Sequence, residues 1–164
     1  MSELVTQLEI VAQAVSFAES GKTRLLHALE SVPDDKLQWT PSATAKSPLR
    51  VAAHAALSNS AFASMLRGDP MPDVPFETLM AKMVEAESAV GTRAEAVKLI
   101  EEQSAGAIVA LNGLTQARIA EDVQTPFGAM PITFIMLLVG RHMDDHAAQI
   151  DYMQTIWGDN EMHF

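Results

Sequence analysis

The sequence predicts an all-α fold, an antiparallel four-helix bundle with one short extra helix. Three observations carry this. Apolar residues recur every three or four positions over long stretches, the period of one buried helix face. Proline and glycine cluster between those stretches and are sparse inside them. Aromatic residues make up only 5% of the 164-residue chain against 10 Met, and straight-chain and small residues suit close-packed helices better than sheets.

The elements follow in order. Leu4, Leu8, Val11, Val15, Ala18, Leu25 and Leu29 place a helix from about Glu3 to Glu30. Pro33, Trp39-Thr40-Pro41-Ser42 and Ser47-Pro48 break the pattern, because proline lacks a donor and restricts the residue before it. Ser47-Pro48 reads as an N-cap followed by a proline at the first helical position. It opens a second helix to about Arg67, ended by Gly68-Asp69-Pro70. The short extra helix spans about Phe76 to Val90 and is expected to bury Phe76, Leu79, Met80 and Met83. Thr92-Arg93-Ala94-Glu95 has the form of a capping box and opens a helix closed by Asn112-Gly113. Thr125-Pro126-Phe127-Gly128 is a turn, and Pro131 opens the last long helix, to about Trp157. No internal repeat, low-complexity tract or second domain interrupts the chain, so residues 1–164 read as a single domain.

Composition narrows the function classes. With 11 Lys and Arg against 21 Asp and Glu, the net charge is −10. That disfavours nucleic acid, whose phosphates need a basic stripe, and an anionic membrane surface. There is no cysteine, so disulfides, thiolate metal sites and a cysteine nucleophile are excluded. The start lacks the features of a secretory signal. The longest apolar run, around Pro131 to Gly140, falls short of the roughly 20 residues of a membrane helix. The expectation is a cytoplasmic protein with a small-molecule substrate.

Chemistry concentrates on three of the five histidines. In the last helix the apolar stripe Ile132, Ile135, Met136, Val139 continues through His142, Met143 and His146 to Ile150, Met153 and Trp157. Residues four apart on a helix point the same way, so His142 and His146 can chelate one ion. In the second helix His54 lies on the stripe Val51, Ala55, Ser58, Phe62 and Met65. The alternative is three core histidines, each hydrogen-bonded to a neighbour. Burying three unpartnered imidazoles is costly, and a shared metal relieves all three at once. His27 falls opposite the Leu25 and Leu29 stripe, and His163 lies in the terminal tail. Trp39 reads as packing the connector onto the bundle, and Met65, Met136, Met143 and Met153 as core fillers. Asp144 and Asp145 could orient ligands, though solvated helix-surface acids are the plainer reading. Arg50, Asn59, Gln149 and Tyr152 lie within a turn or two of the histidines and could line a pocket. No phosphate-cradling glycine loop, nucleophile elbow or paired-carboxylate motif occurs, and the Glu-x-x-His pattern of di-iron bundles is missing around these histidines.

Leu37-Gln38-Trp39-Thr40-Pro41, Ser47-Pro48-Leu49 leading to His54, and His142-Met143-Asp144-Asp145-His146-Ala147-Ala148-Gln149-Ile150, in this order and separation, resemble the DinB/YfiT-like family of small helical bacterial proteins. The resemblance implies a DinB-like four-helix bundle with a divalent metal, nickel or zinc, held by His54, His142 and His146. It further implies a metal-dependent S-transferase using a small thiol of the bacillithiol or mycothiol type on an electrophile, or a hydrolase or isomerase of the same superfamily, and a homodimer. A non-catalytic metal-binding, stress-related bundle is the alternative. The chain departs from the family pattern around the last ligand, where many members carry a preceding histidine and a following Arg-Gly; here Asp145 and Ala147-Ala148 stand instead.

Overall fold

The computed structural model describes residues 2–163, with side chains described from residue 9 onward; the expected core positions Leu4 and Leu8 lie outside the described side chains. Four long helices, α1 (Ser2–Glu30), α2 (Pro48–Arg67), α4 (Arg93–Asn112) and α6 (Ile132–Ile156), form the four-helix bundle. The shorter α3 (Phe76–Ala89) lies outside it, and a single turn, α5 (Gln116–Ile119), precedes a small hairpin. Strands β1 (Asp122–Thr125) and β2 (Gly128–Pro131) pair antiparallel, with Asp122 opposite Pro131. No helix among the described residues is long and apolar enough to cross a membrane.

The helix ends follow their local chemistry. Ser47 caps α2, its Oγ accepting from the Arg50 amide at 3.4 Å, with Pro48 at the first helical position. Gly68 ends α2 with φ +79, a left-handed conformation that costs glycine little. The Thr92–Glu95 capping box is fully formed at the start of α4. Two arginines cap the C-termini at opposite ends of the bundle. Arg93 donates to the carbonyls of Leu29 and Glu30 in the last turn of α1 and of Val32 just beyond it. Arg118 donates to Met65 O and Leu66 O at the end of α2. A helix leaves the carbonyls of its last turn short of donors, and the two guanidinium groups supply donors there.

The directions of the helices are less obvious from their loops. Phe17 lies against Gly140, Arg24 pairs with Asp144 and Asp151, and Gln154 donates to Ala28 O, so α1 and α6 run parallel side by side. The capping contacts of Arg93 make α4 antiparallel to α1. His54 meets His146, whereas Phe62 meets His142, so α2 and α6 are antiparallel. Consecutive helices α1 and α2 therefore face each other across the bundle diagonal, and the connector between them crosses its end. Trp39 of that connector packs there edge-on against Trp157 at 5.3 Å, the packing role expected of it. The parallel α2 and α4 are joined through the outlying α3.

The core has two apolar layers. One holds Leu25, Leu29, Leu49, Ile100 and Ile150, the other Leu66, Leu111, Ile132, Ile135 and Met136, all nearly inaccessible. Each such side chain stabilises the fold by about 1.5–3 kcal/mol relative to exposure. Met136, Met143 and Met153 are buried and Met65 half-buried, as core fillers should be. One expectation is corrected. Phe76 and Met80 are about 40% exposed, while Leu79 and Met83 are only half-buried. α3 lies on the outside of the bundle, and its buried residue is Glu87.

Candidate metal centre

His54 projects from the first half of α2, and His142 and His146 project from one face of α6. Because these two helices pack antiparallel, the three imidazoles converge near mid-bundle. Their ring centroids are 5.3 Å (His54–His142), 4.9 Å (His54–His146) and 4.4 Å (His142–His146) apart. One nitrogen of each ring lies within 4.8 Å of the other two. All three are half-buried rather than sealed in the core, and Phe62 packs edge-on against His142 at 5.6 Å.

Hydrogen bonds orient two of the rings. Glu87 of α3 is inaccessible, and its carboxylate accepts from Lys46 Nζ at 2.5 Å, Arg50 at 3.4 Å and His54 Nδ1 at 2.7 Å. Burial pushes its carboxyl up, but the hydrogen bonds from Lys46 and His54 outweigh that and hold it below the usual carboxylate range. An ionised carboxylate only accepts, so His54 carries its proton on Nδ1 and leaves Nε2 for the site. In the same way His146 Nδ1–H donates to Gln149 Oε1 at 2.8 Å, which frees His146 Nε2. That nitrogen lies 3.1 Å from His142 Nε2. In a tetrahedral site with metal–nitrogen bonds of 2.0–2.1 Å, two ligand nitrogens are roughly 3.3 Å apart. The observed separation is therefore close to that of two nitrogens on one ion. Three imidazole nitrogens, two of whose rings are held from behind by a carboxylate and an amide, fit a divalent ion of the zinc or nickel kind.

Burial, followed by the neighbouring His146 and His54, pushes the His142 imidazole down to about 4. Burial also lowers His146, against the hydrogen bond to Gln149. Both are therefore neutral near pH 7, the form in which imidazole ligates. In the unfolded chain a histidine protonates near 6.5. Between that value and about 4 the unfolded chain holds more protons, so the metal-free fold loses stability as pH falls through this window. Thermal unfolding across it should show a flatter pH dependence for His142→Gln; an identical slope would remove His142 as the cause.

The other expected site residues divide. Arg50 and Gln149 reach the histidines' surroundings, as described. Asn59 is fully buried and donates to Met143 Sδ at 3.2 Å, inside the core, because its helix face turns it past the histidines. Tyr152 is 70% exposed on the outer side of α6. Asp144 pairs with Arg24 of α1 at 2.6 Å, and the exposed Asp145 pairs with Arg141 at 2.9 Å, so neither orients a ring. His27 is exposed. His163 is half-buried beside Asp159 at 3.1 Å. Glu87 is the residue that sequence reasoning missed. It continues the helical stripe of Phe76, Met80 and Met83, and a carboxylate on an apolar stripe is the signal that marks it.

A family model described as the DinB superfamily matches residues 18–150. No curated protein matches the sequence. Among solved structures, a mycothiol-dependent maleylpyruvate isomerase superposes with a TM-score of 0.72 at 16% identity, over 85% of this chain and 60% of its own. The chain thus spans three-fifths of that enzyme's length. The DinB-like protein YjoA from Bacillus subtilis gives 0.68 at 16% identity over 93% and 96% of the two chains. YfiT from Bacillus subtilis, described as a probable metal-dependent hydrolase with an unusual four-helix bundle topology, gives 0.68 at 17% identity over 90% and 87%. At these identities the likeness to the three structures is one of fold.

Proposed function

The chain belongs to the DinB superfamily, and from that premise we propose that His54, His142 and His146 hold a divalent metal ion, nickel or zinc, at which a small thiol is used on an electrophilic substrate. The observation that carries the metal half of this reading is the convergence of three imidazole nitrogens within 4.8 Å, from two antiparallel helices. An ion on three neutral nitrogens keeps open positions, and it supplies Lewis acidity that lowers the pKa of a thiol or water and polarises a carbonyl. The protein's own part is to keep His142 and His146 neutral by burial and to orient two of the rings, with Gln149 and Glu87 on the outer nitrogens of His146 and His54. The sulfur must come from a small molecule, since the chain has no cysteine. The similar structures described as a mycothiol-dependent isomerase and a probable metal-dependent hydrolase support the chemistry by kinship of fold.

A second reading, a non-catalytic ion that staples α2 to α6, draws on the placement of the ligands on two different helices. The two readings part on whether the ion accepts an outside ligand. Elemental analysis of untagged protein beside a His54/His142/His146 triple-alanine variant is the first test. Near-stoichiometric nickel or zinc in the wild type and none in the variant is the expected result; equal metal in both, or none in either after incubation with these ions, removes the site. A small thiol added to the cobalt-substituted protein should then change its visible spectrum. A spectrum indifferent to thiol leaves the staple reading in place of the enzyme.

A further inference from the structure

Glu87 and the helix that carries it have a role that the three-histidine site by itself does not explain. Little of α3 is buried: Phe76, Met80 and Val84 are exposed, with Phe76 edge-on to the exposed Phe127 at 5.5 Å, and its buried residue is Glu87. A wholly inaccessible carboxylate is rare unless several donors meet it. Here three do: Lys46 just before α2, Arg50 in its first turn, and His54 one turn further on. Lys46 and His54 share the same oxygen, Oε1, at 2.5 and 2.7 Å. The last turn of α3 is therefore fastened to α2 by an ionic knot, one strand of which is a ring of the candidate site.

We infer that Glu87 is the positioning residue of His54, and that docking of α3 and occupation of the three-histidine site are thermodynamically coupled. The inference rests on the metal reading above. With α3 docked, the carboxylate fixes the Nδ1–H tautomer and ring angle of His54, so that Nε2 faces His142 and His146. With α3 undocked, His54 is free to turn and to carry its proton on either nitrogen. An ion that requires Nε2 then binds the docked form better, and by reciprocity its presence holds α3 in place. A carboxylate behind a ligating imidazole typically carries about 10–100-fold in metal affinity.

The test is zinc affinity by competition with a chromophoric chelator, for wild type, Glu87→Gln, His54→Ala and the double variant. Glu87→Gln keeps the side chain's size but not its charge, and is expected to bind zinc about 10–100-fold more weakly. In the His54→Ala background the same change is expected to move the affinity less than about twofold, since there is no ring left to position. Hydrogen exchange of the wild-type chain adds a readout that needs no variant at position 87. Zinc should slow exchange across residues 76–89 in wild type and leave it unchanged in His54→Ala. Equal affinities for wild type and Glu87→Gln overturn the inference while the metal site stands. So does an equal loss in both backgrounds, or exchange over 76–89 that ignores zinc. A wild type that takes up neither zinc nor, in the same competition assay, nickel removes the metal reading itself, and this inference with it.

Discussion

Gly140→Ala is expected to lower the unfolding midpoint by roughly 4–8 °C, although alanine is the better helix former. A Cβ at position 140 would lie 2.5 Å from Phe17 O and 2.7 Å from its carbonyl carbon. Both atoms belong to the backbone of α1 and cannot rotate away as a side chain would. Gly21 faces Gly140 from the other helix, and its Cβ would meet the Gly140 carbonyl oxygen. The parallel pair α1 and α6 is thus seated backbone on backbone, and adding a methyl must push the helices apart. Overpacking of this kind costs about 3 kcal/mol, against a gain of about 1 kcal/mol in helix propensity. The net loss is then about 2 kcal/mol, at 2–4 °C for each in a chain of this size. Gly106 of α4 is the control, because a Cβ there meets nothing within 4 Å. Gly106→Ala should be neutral or stabilising. If Gly140→Ala melts at or above the wild-type temperature, the close seating of these helices is not a constraint on the fold.

Zinc at about a thousandfold over its dissociation constant is expected to stabilise the wild type by roughly 4 kcal/mol, or about 8–16 °C in midpoint. The proposed site draws ligands from both α2 and α6, so an ion held there would bind the folded chain and find no preformed site in the unfolded one. His142→Ala should abolish the shift. Its ring lies against both others, with centroids 5.3 and 4.4 Å away, and its loss leaves two nitrogens on different helices. Differential scanning fluorimetry over a zinc titration reads this directly. A shift of equal size in the variant would mean that zinc acts at some other place on the chain.

How much of this was legible beforehand differs from element to element. The DinB-like four-helix bundle was readable, and so were most of the helix ends: Ser47-Pro48 before α2, Gly68 after it, and the Thr92–Glu95 box before α4 all stand where expected. The hairpin at 122–131 was read only as a turn. Its strands are four residues each and show no apolar alternation that period-two reasoning could find.

What the sequence by itself determined about this protein is whatever depends on neighbours within about one helical turn. Caps are hydrogen bonds over three or four residues, and the alignment of His142 with His146 follows from helix geometry alone. Periodicity also tells which residues share a face. It does not tell whether anything covers that face, so Phe76 and Met80 of α3 were expected inside and are found outside. The packing of helices far apart in the chain decided the rest: that α1 lies parallel to α6 through Gly21 and Gly140, that His54 meets two rings some ninety residues away, and that Glu87 is sunk between Lys46, Arg50 and His54. Such contacts arise only when separate elements are brought together, and they depend on which elements become neighbours, a choice made by the whole core and not by any local run of residues.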